Sequence, residues 1–494
     1  EKAAAAVAFD RAARLYRRAL TLTPENEDAL RRRLAEILVN AGRGPEAAAA
    51  LLAVQPHDFA DALELRRGAA QQLLVSGHVD EGLDVIRSLL ASIGIPWPRT
   101  RRETILTLLY LRMRVTLRGI RFRERPASGI PAEELLRVDT CRAVALGLSS
   151  VDTIRGAVFQ SRYLLLALAA GDPERVAQAL TMECGYSAVQ GTRTRRRTEK
   201  LTATMRAITD RLGTPYARAF ADEAEGVAAS LQGRWRDGAE RLEAAERAFV
   251  EHCTGVTFEL NTARLFGMRC RQFRGDLRVM AERFPSLLRD AEDRGDRYFA
   301  TSLVLFSHYI YLADDDPAAA SERIESAMRV WSHSALHVQH VWHLRAAVEI
   351  ALYERKGAEA WARLSKSWDA ARNSLVARVQ FTRMVLEDVR GRAALAAAAE
   401  MSNDRERLLA IAGKAASRLE SEGAEWGRAL AMLIRAGRES DSSILRAAEP
   451  LLEKLEMHLH AAAVRMRLGN AAGKEWMLAQ GVRNPEAMMR LLLP

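Results

Sequence analysis

The chain has 494 residues, 49% of them hydrophobic and 28% charged, with 73 Lys and Arg against 63 Asp and Glu for a net charge of +10. Ample core-forming material and a wealth of Ala, Leu, Arg and Glu favour helix, and the Val/Ile/Thr-rich alternations of a sheet are missing. The scattered cysteines (141, 184, 253, 270) form no Cys-x-x-Cys pair, which argues against a disulfide framework or a zinc ribbon, and no apolar run reaches the ~18 residues of a membrane span.

The positive balance fits nucleic acid or an acidic partner. It fits an arginine-rich bacterial composition better, because arginines alternate with glutamates along most of the chain, as on solvated helix faces. The sequence contains no secretory signal, and reduced thiols point to the cytoplasm. It opens at Glu1 in helical sequence and without methionine, as a piece of a longer protein would.

In the first segment, 1–92, Ala12, Tyr16, Ala19 and Pro24 have the spacing of the second helix of a tetratricopeptide repeat. Small residues let two helices approach, the aromatic fills the gap between hairpins, and the proline stops the helix. Gly42 with Ala47, Leu51 and Val54, and Gly77 with Gly82, Ile86 and Leu89, repeat the pattern of a turn followed by an apolar face. Residues 93–131 interrupt it with Ile-Pro-Trp-Pro at 95–98, a basic helix near Leu106–Arg123, Pro126 and Pro131. From 132 to 400 the beat returns with a longer period. The turn residues Gly233, Gly275, Asp315 and Gly357 stand 42, 40 and 42 apart. That exceeds the ~34 of a standard tetratricopeptide and predicts helices of about 16–18 residues. The matching faces are Gly238, Leu242 and Ala245, and Ala320, Ile324 and Ala327; the match weakens at Met280, Phe284 and Leu287, and further after Gly357, where only Ala362 fits. Gly191–Lys200 reads as a charged connection. Beyond 400 the period fades; Ser402, Asn403 and Asp404 read as a helix start, and 401–494 as a helical cap. A lone hairpin cannot cover its apolar face, whereas stacking buries Leu, Ile and Phe at roughly 1.5–3 kcal/mol each. The expected fold is all-α: tetratricopeptide-like helical hairpins stacked into a right-handed superhelix, an α-solenoid with a concave surface.

Catalytic patterns are missing. No phosphate loop is present, since Gly413-Lys414 lacks the upstream glycine and the following hydroxyl residue, and there is no His-Arg-Asp, Asp-Phe-Gly or Gly-x-Ser-x-Gly. The chain is therefore read as carrying no catalytic, cofactor or metal residues. His333, His337, His340 and His343 follow at spacings of four, three and three, a slanting stripe on one helix beside Trp331 and Trp342. Two histidines one turn apart suit zinc, but no carboxylate completes a metalloprotease pattern. Trp331, His337, His340, Trp342 and His343 are candidate partner or ligand contacts; the alternative is packing, with polar tips toward a groove. Arg193, Arg195, Arg196 and Arg197 are candidate contacts for phosphate or an acidic partner, or else a solvated loop. The run Arg112, Arg114, Arg118, Arg121, Arg123 and Arg125, with Leu108, Leu109, Leu111 and Val115, reads as an amphipathic membrane or partner helix or as a surface helix with snorkelling arginines. Trp235, Trp361, Trp368 and Trp426 are expected in the core.

Three stretches carry a family likeness: Leu164–Gln190, with Leu-Ala-Leu-Ala-Ala-Gly-Asp-Pro-Glu-Arg-Val-Ala-Gln-Ala-Leu at 166–180; His337–Tyr353; and Trp476–Met489 with Asn484-Pro485. Together they resemble the C-terminal region of large bacterial serine/threonine protein kinases. There a kinase domain precedes a STAND-type ATPase module and tetratricopeptide-like repeats follow. The resemblance is firmest over 130–494. It implies a sensor arm that holds the kinase or ATPase inactive, or recruits partners, until a ligand binds. It places ATP, magnesium and the catalytic residues upstream of Glu1, and the natural C-terminus at or near Pro494. None of the family's catalytic motifs stands in this sequence.

The expected role is a non-catalytic sensor and protein-interaction domain of a multidomain signalling kinase, taking a peptide, protein or small ligand, with the intramolecular kinase or ATPase domains as possible partners. The alternatives are a stand-alone scaffold and a nucleic-acid-binding helical array.

Overall fold

The computed structural model describes residues 2–22, 25–149 and 152–494; Pro24, the expected helix stop, lies outside them. Every regular element among the described residues is helical, from Lys2–Leu20 to Pro485–Leu492, and no helix is long and apolar enough to cross a membrane. Local chemistry sets the helix starts. Asp172-Pro173, Thr214-Pro215, Asp316-Pro317 and Asn484-Pro485 each place a side-chain acceptor at the N-cap and a proline in the first turn. The caps bond the backbone N–H three residues on, as from Arg175 to Asp172 at 2.9 Å.

The helices pair into hairpins that stack in chain order. First helices begin at 215, 257, 297, 338 and 380, which is the expected beat. Gly233, Gly275 and Asp315 hold the left-handed conformation that ends the first helix of each pair (φ 79°, 86° and 59°). The fourth turn differs: Arg355 takes the left-handed place (φ 64°), and Gly357 opens the next helix instead. It is glycine because a Cβ there would lie 2.5 Å from the Ala396 carbonyl carbon. Arg195–Lys200 also differ from the expected connection. They start the helix Arg195–Leu212, since arginine, glutamate and lysine extend helix readily. The basic helix runs over Arg101–Arg118, started by a reciprocal Thr100–Glu103 cap, and leaves Arg121, Arg123 and Arg125 in the following loop. After residue 400 the helices shorten, from 17 residues in Arg405–Ser421 to 8 in Pro485–Leu492.

The α-solenoid winds tightly enough for one superhelical turn to touch the next. The Gln380 N–H donates to the Val189 carbonyl at 2.9 Å, Tyr298 to Ser76 at 3.2 Å, and Arg483 to Ala313 at 2.8 Å. These partners lie roughly 170–220 residues apart, so about five hairpins complete a turn. The concave side faces a narrow axis, and aromatic rings fill much of it. Trp235 stacks on Phe273 at 4.3 Å, and both meet Phe381 and Trp426 of the next turn at 5.4–6.2 Å. The accessible surface of 21069 Å² is only modestly above the ~18,000 Å² of a compact monomer of this mass.

Near the C-terminal end a buried ionic network ties four elements. Glu349, fully buried, accepts from His308 Nε2 at 2.8 Å and the Tyr309 hydroxyl at 3.1 Å. It also pairs with Arg345 at 3.0 Å and Arg392 at 2.6 Å. Arg392 in turn holds Asp388 at 2.7 Å and the Leu491 carbonyl at 3.0 Å. His460 sits beside this network with Nδ1 lacking a hydrogen-bond partner among the described residues. Burial and the neighbouring Arg392 push its pKa down to about 3. The folded chain therefore keeps His460 neutral, while the unfolded chain protonates it below about 6.5. Stability from this group is full above pH 6.5 and falls as pH drops toward 3. Acidification from pH 7 to pH 5 should cost about 1 kcal/mol here, after discounting for its partial exposure. Denaturation at the two pH values checks this, and His460→Gln should flatten the difference; an unchanged slope would refute it.

Candidate functional site

The axis is not filled everywhere. A cavity of about 200 Å³ lies along it, lined by residues of eight helices between Ala132–Ser149 and Gln380–Glu400. Its walls are largely apolar, with Met182, Phe220, Leu265, Phe306, Trp342 and Phe381 among them. Ser149, Thr153, Gly185 and Val338 are half-buried and form its more open part. An apolar cavity of ~150 Å³ already accepts a benzene-sized guest. The polar lining is sparse: Arg269, Glu223, Thr262, Gln339 and a few hydroxyls. Burial drives the Glu223 pKa well above the carboxylate range, so it is a neutral acid there, and its Oε2 has no partner among the described residues. Sparse polar groups in a mostly apolar, concave lining are the usual composition of a small-molecule site.

Of the five candidate contacts near the histidine stripe, only Trp342 faces this cavity, packed on Phe306 at 4.8 Å. The stripe itself is broken, because the helix starts at Val338 and leaves His333 in the preceding loop. His337 sits at the N-cap position. Its Nδ1 accepts from Trp331 Nε1 at 3.2 Å, and its backbone N–H donates to His340 Nδ1 at 3.1 Å. Trp331 is 2% exposed and His337 4%. Burial, then the adjacent His337 and His333, brings the His340 pKa down to about 4, so it stays neutral at pH 7. His343 turns outward to Glu325 at 2.9 Å. Among the described residues no three His, Cys, Asp or Glu side chains gather as a metal site would require. The cysteines make no disulfide, and burial lifts the Cys141 and Cys184 thiols to about 12.

The four candidate basic residues part company. Arg195 pairs with Glu199 at 2.9 Å and Arg197 reaches buried Glu183 at 3.2 Å. Arg196 is exposed, and Arg193 borders a polar cleft of about 600 Å³ with Arg101, Arg372, Arg378, Arg383 and Arg418. Glu422 and Glu387 neutralise Arg383 and Arg418 there, at 2.6 and 2.9 Å. The Arg101–Arg118 helix is apolar on two opposite sides. Thr104, Leu111 and Val115 face the core. Leu106, Leu109, Tyr110, Met113 and Leu117 are 53–80% exposed. The second set recurs at helical spacing as an uncovered stripe bordered by Arg102 and Arg114.

Comparison with known proteins adds no identification: no family model matches the chain, and no curated protein matches it.

The axial residues escaped the sequence reading. The one available signal was a charged residue inside an otherwise apolar or small run, as at Leu265-Phe266-Gly267-Met268-Arg269-Cys270.

Proposed function

We propose that the chain is a non-catalytic sensor and interaction domain of a larger signalling protein, in which the axial cavity takes a small, largely apolar ligand. The observation carrying this is that the hairpins of one turn, together with the Gln380–Glu400 helix of the next, line one cavity. A guest there touches many repeats at once, so its affinity depends on the pitch of the winding. Binding that favours one pitch shifts the equilibrium between windings. The uncovered Leu106–Leu117 stripe supplies an output surface, where a partner domain would dock. In the reading drawn from the family resemblance, that partner is the kinase or ATPase module of the same protein, with ATP and magnesium used there and not in this chain. The stand-alone scaffold remains the second reading, favoured by the same stripe.

Gly185 provides the test. It lines the cavity from within the helix Pro173–Ala188, and a Cβ placed on it meets nothing within 4 Å. Gly185→Leu should fill the cavity and raise the melting temperature by roughly 1–2 °C through better helix propensity and packing. A thermal-shift screen of small apolar compounds should then find stabilisers of the wild-type chain that do nothing to the variant. If no compound separates the two proteins, the cavity is only a packing void. Coding sequence upstream of Glu1 that lacks a kinase or ATPase module would favour the scaffold.

A further inference from the structure

We propose that Arg269 is the anchor of a carboxylate subsite in the axial cavity, whose ligand is an apolar monocarboxylate about 10 Å long. This rests on the reading of the cavity as a ligand site.

Arg269 is 5% exposed and lines the cavity. Its guanidinium lies over the rings of Phe266 at 4.0 Å and Phe381 at 4.4 Å. Among the described residues its one hydrogen-bond acceptor is the Ser230 hydroxyl, reached by Nε at 3.2 Å and Nη2 at 2.8 Å. Among the described residues Nη1 has no acceptor and no carboxylate lies within ion-pair distance. The other deeply buried arginines contrast with it: Arg392 holds Asp388 and Glu349, and Arg345 holds Glu349. Burial lowers the Arg269 pKa, but only to about 10, so the cation persists at neutral pH. A buried cation without a counter-ion is costly, and a ligand carboxylate would remove that cost with charge-assisted bonds to the free edge of the fork.

The same helix face sets the ligand's length. Thr262, Leu265, Phe266 and Arg269 all line the cavity from the helix Thr257–Arg274. Thr262 lies two turns from Arg269, about 10 Å along the axis. Between them the wall is apolar. At the Thr262 end Oγ1 has no partner among the described residues. The neutral Glu223 also lies toward this end, since it feels the charge of Glu259, which sits one turn before Thr262. Charge is thus provided for at one end only, which suits a single carboxylate on an apolar body and disfavours a dicarboxylate or a phosphate ester with a polar tail.

The test is calorimetric titration of the whole chain with octanoate and with octanol, of equal length and uncharged. Octanoate should bind at least tenfold more tightly than octanol. Arg269→Met should abolish that preference while keeping octanol binding, and should fold, because it replaces an unpaired buried charge with an apolar side chain of similar reach. Equal binding of the two probes to the wild-type chain would overturn the carboxylate subsite and leave the cavity reading standing. Binding of neither probe would overturn both. The comparison of the two probes on the wild-type chain decides the matter even if the variant proves unstable.

Discussion

Glu349→Ala should destabilise the folded chain by about 3–5 kcal/mol, the largest single loss from a charged residue. Burial alone would raise the Glu349 pKa, yet the Arg345 and Arg392 guanidiniums hold its carboxyl well below the usual range. Removing it strands the buried Arg345 cation, leaves Arg392 with Asp388 as its remaining carboxylate, and takes the acceptor from the His308 and Tyr309 donors. Glu349→Gln keeps the shape and an acceptor oxygen but not the charge, and should lose less. Because Arg392 also bonds the Leu491 carbonyl, the C-terminal helix should become protease-sensitive before the rest unfolds. Chemical denaturation with limited proteolysis reads both effects. A loss under ~1 kcal/mol for the alanine variant would mean that water reaches the network and screens it.

The second large effect is expected where one superhelical turn meets the next. Gly77 holds φ 82°, and a Cβ on it would lie 2.5 Å from the Tyr298 backbone nitrogen. Gly275 holds φ 86°, and its Cβ would come 2.6 Å from that of Leu459. In both, the neighbour belongs to the adjacent turn and includes backbone, so it cannot swing aside. Gly77→Val and Gly275→Val should each cost about 2–5 kcal/mol, combining left-handed strain with overpacking. Gly423→Ala is the control. It has φ 74°, but nothing lies within 4 Å of the added carbon, so it should cost only about 1 kcal/mol. Equal losses at all three sites would show that backbone strain alone is felt and that the turns do not press together.

These contrasts explain what was legible in the sequence. Gly233, Gly275 and Asp315 declare their turns, because glycine and aspartate are among the residues that most readily take the left-handed place. Arg355 declares nothing, and the glycine signal beside it, Gly357, is required for close packing and not for the turn. The beat of forty-odd residues was visible because it is local: each hairpin must cover its own neighbour. Contacts between turns join residues roughly 170–220 apart and leave no period to read. The same closure hid the site. The helix Thr257–Arg274 is covered by its hairpin partner, by the neighbouring hairpins and by the axis, so apolar and polar residues alike are buried and the 3.6-residue contrast fades. Arg269 and Glu223 then look like surface charges. The histidine stripe had the opposite fault. His337, His340 and His343 do keep helical spacing, but His333 lies in the preceding loop, Trp331, His337 and His340 are occupied with one another at the N-cap, and only Trp342 reaches the cavity.

Closure of the winding creates both the inter-turn contacts and the axial cavity. Small-angle X-ray scattering of the chain in solution measures it directly. Closed turns predict a radius of gyration near the ~23–26 Å of a compact chain of this length. A dozen hairpins stacked ~10 Å apart in an open array would exceed ~30 Å, and that value would contradict the closed superhelix and the site within it.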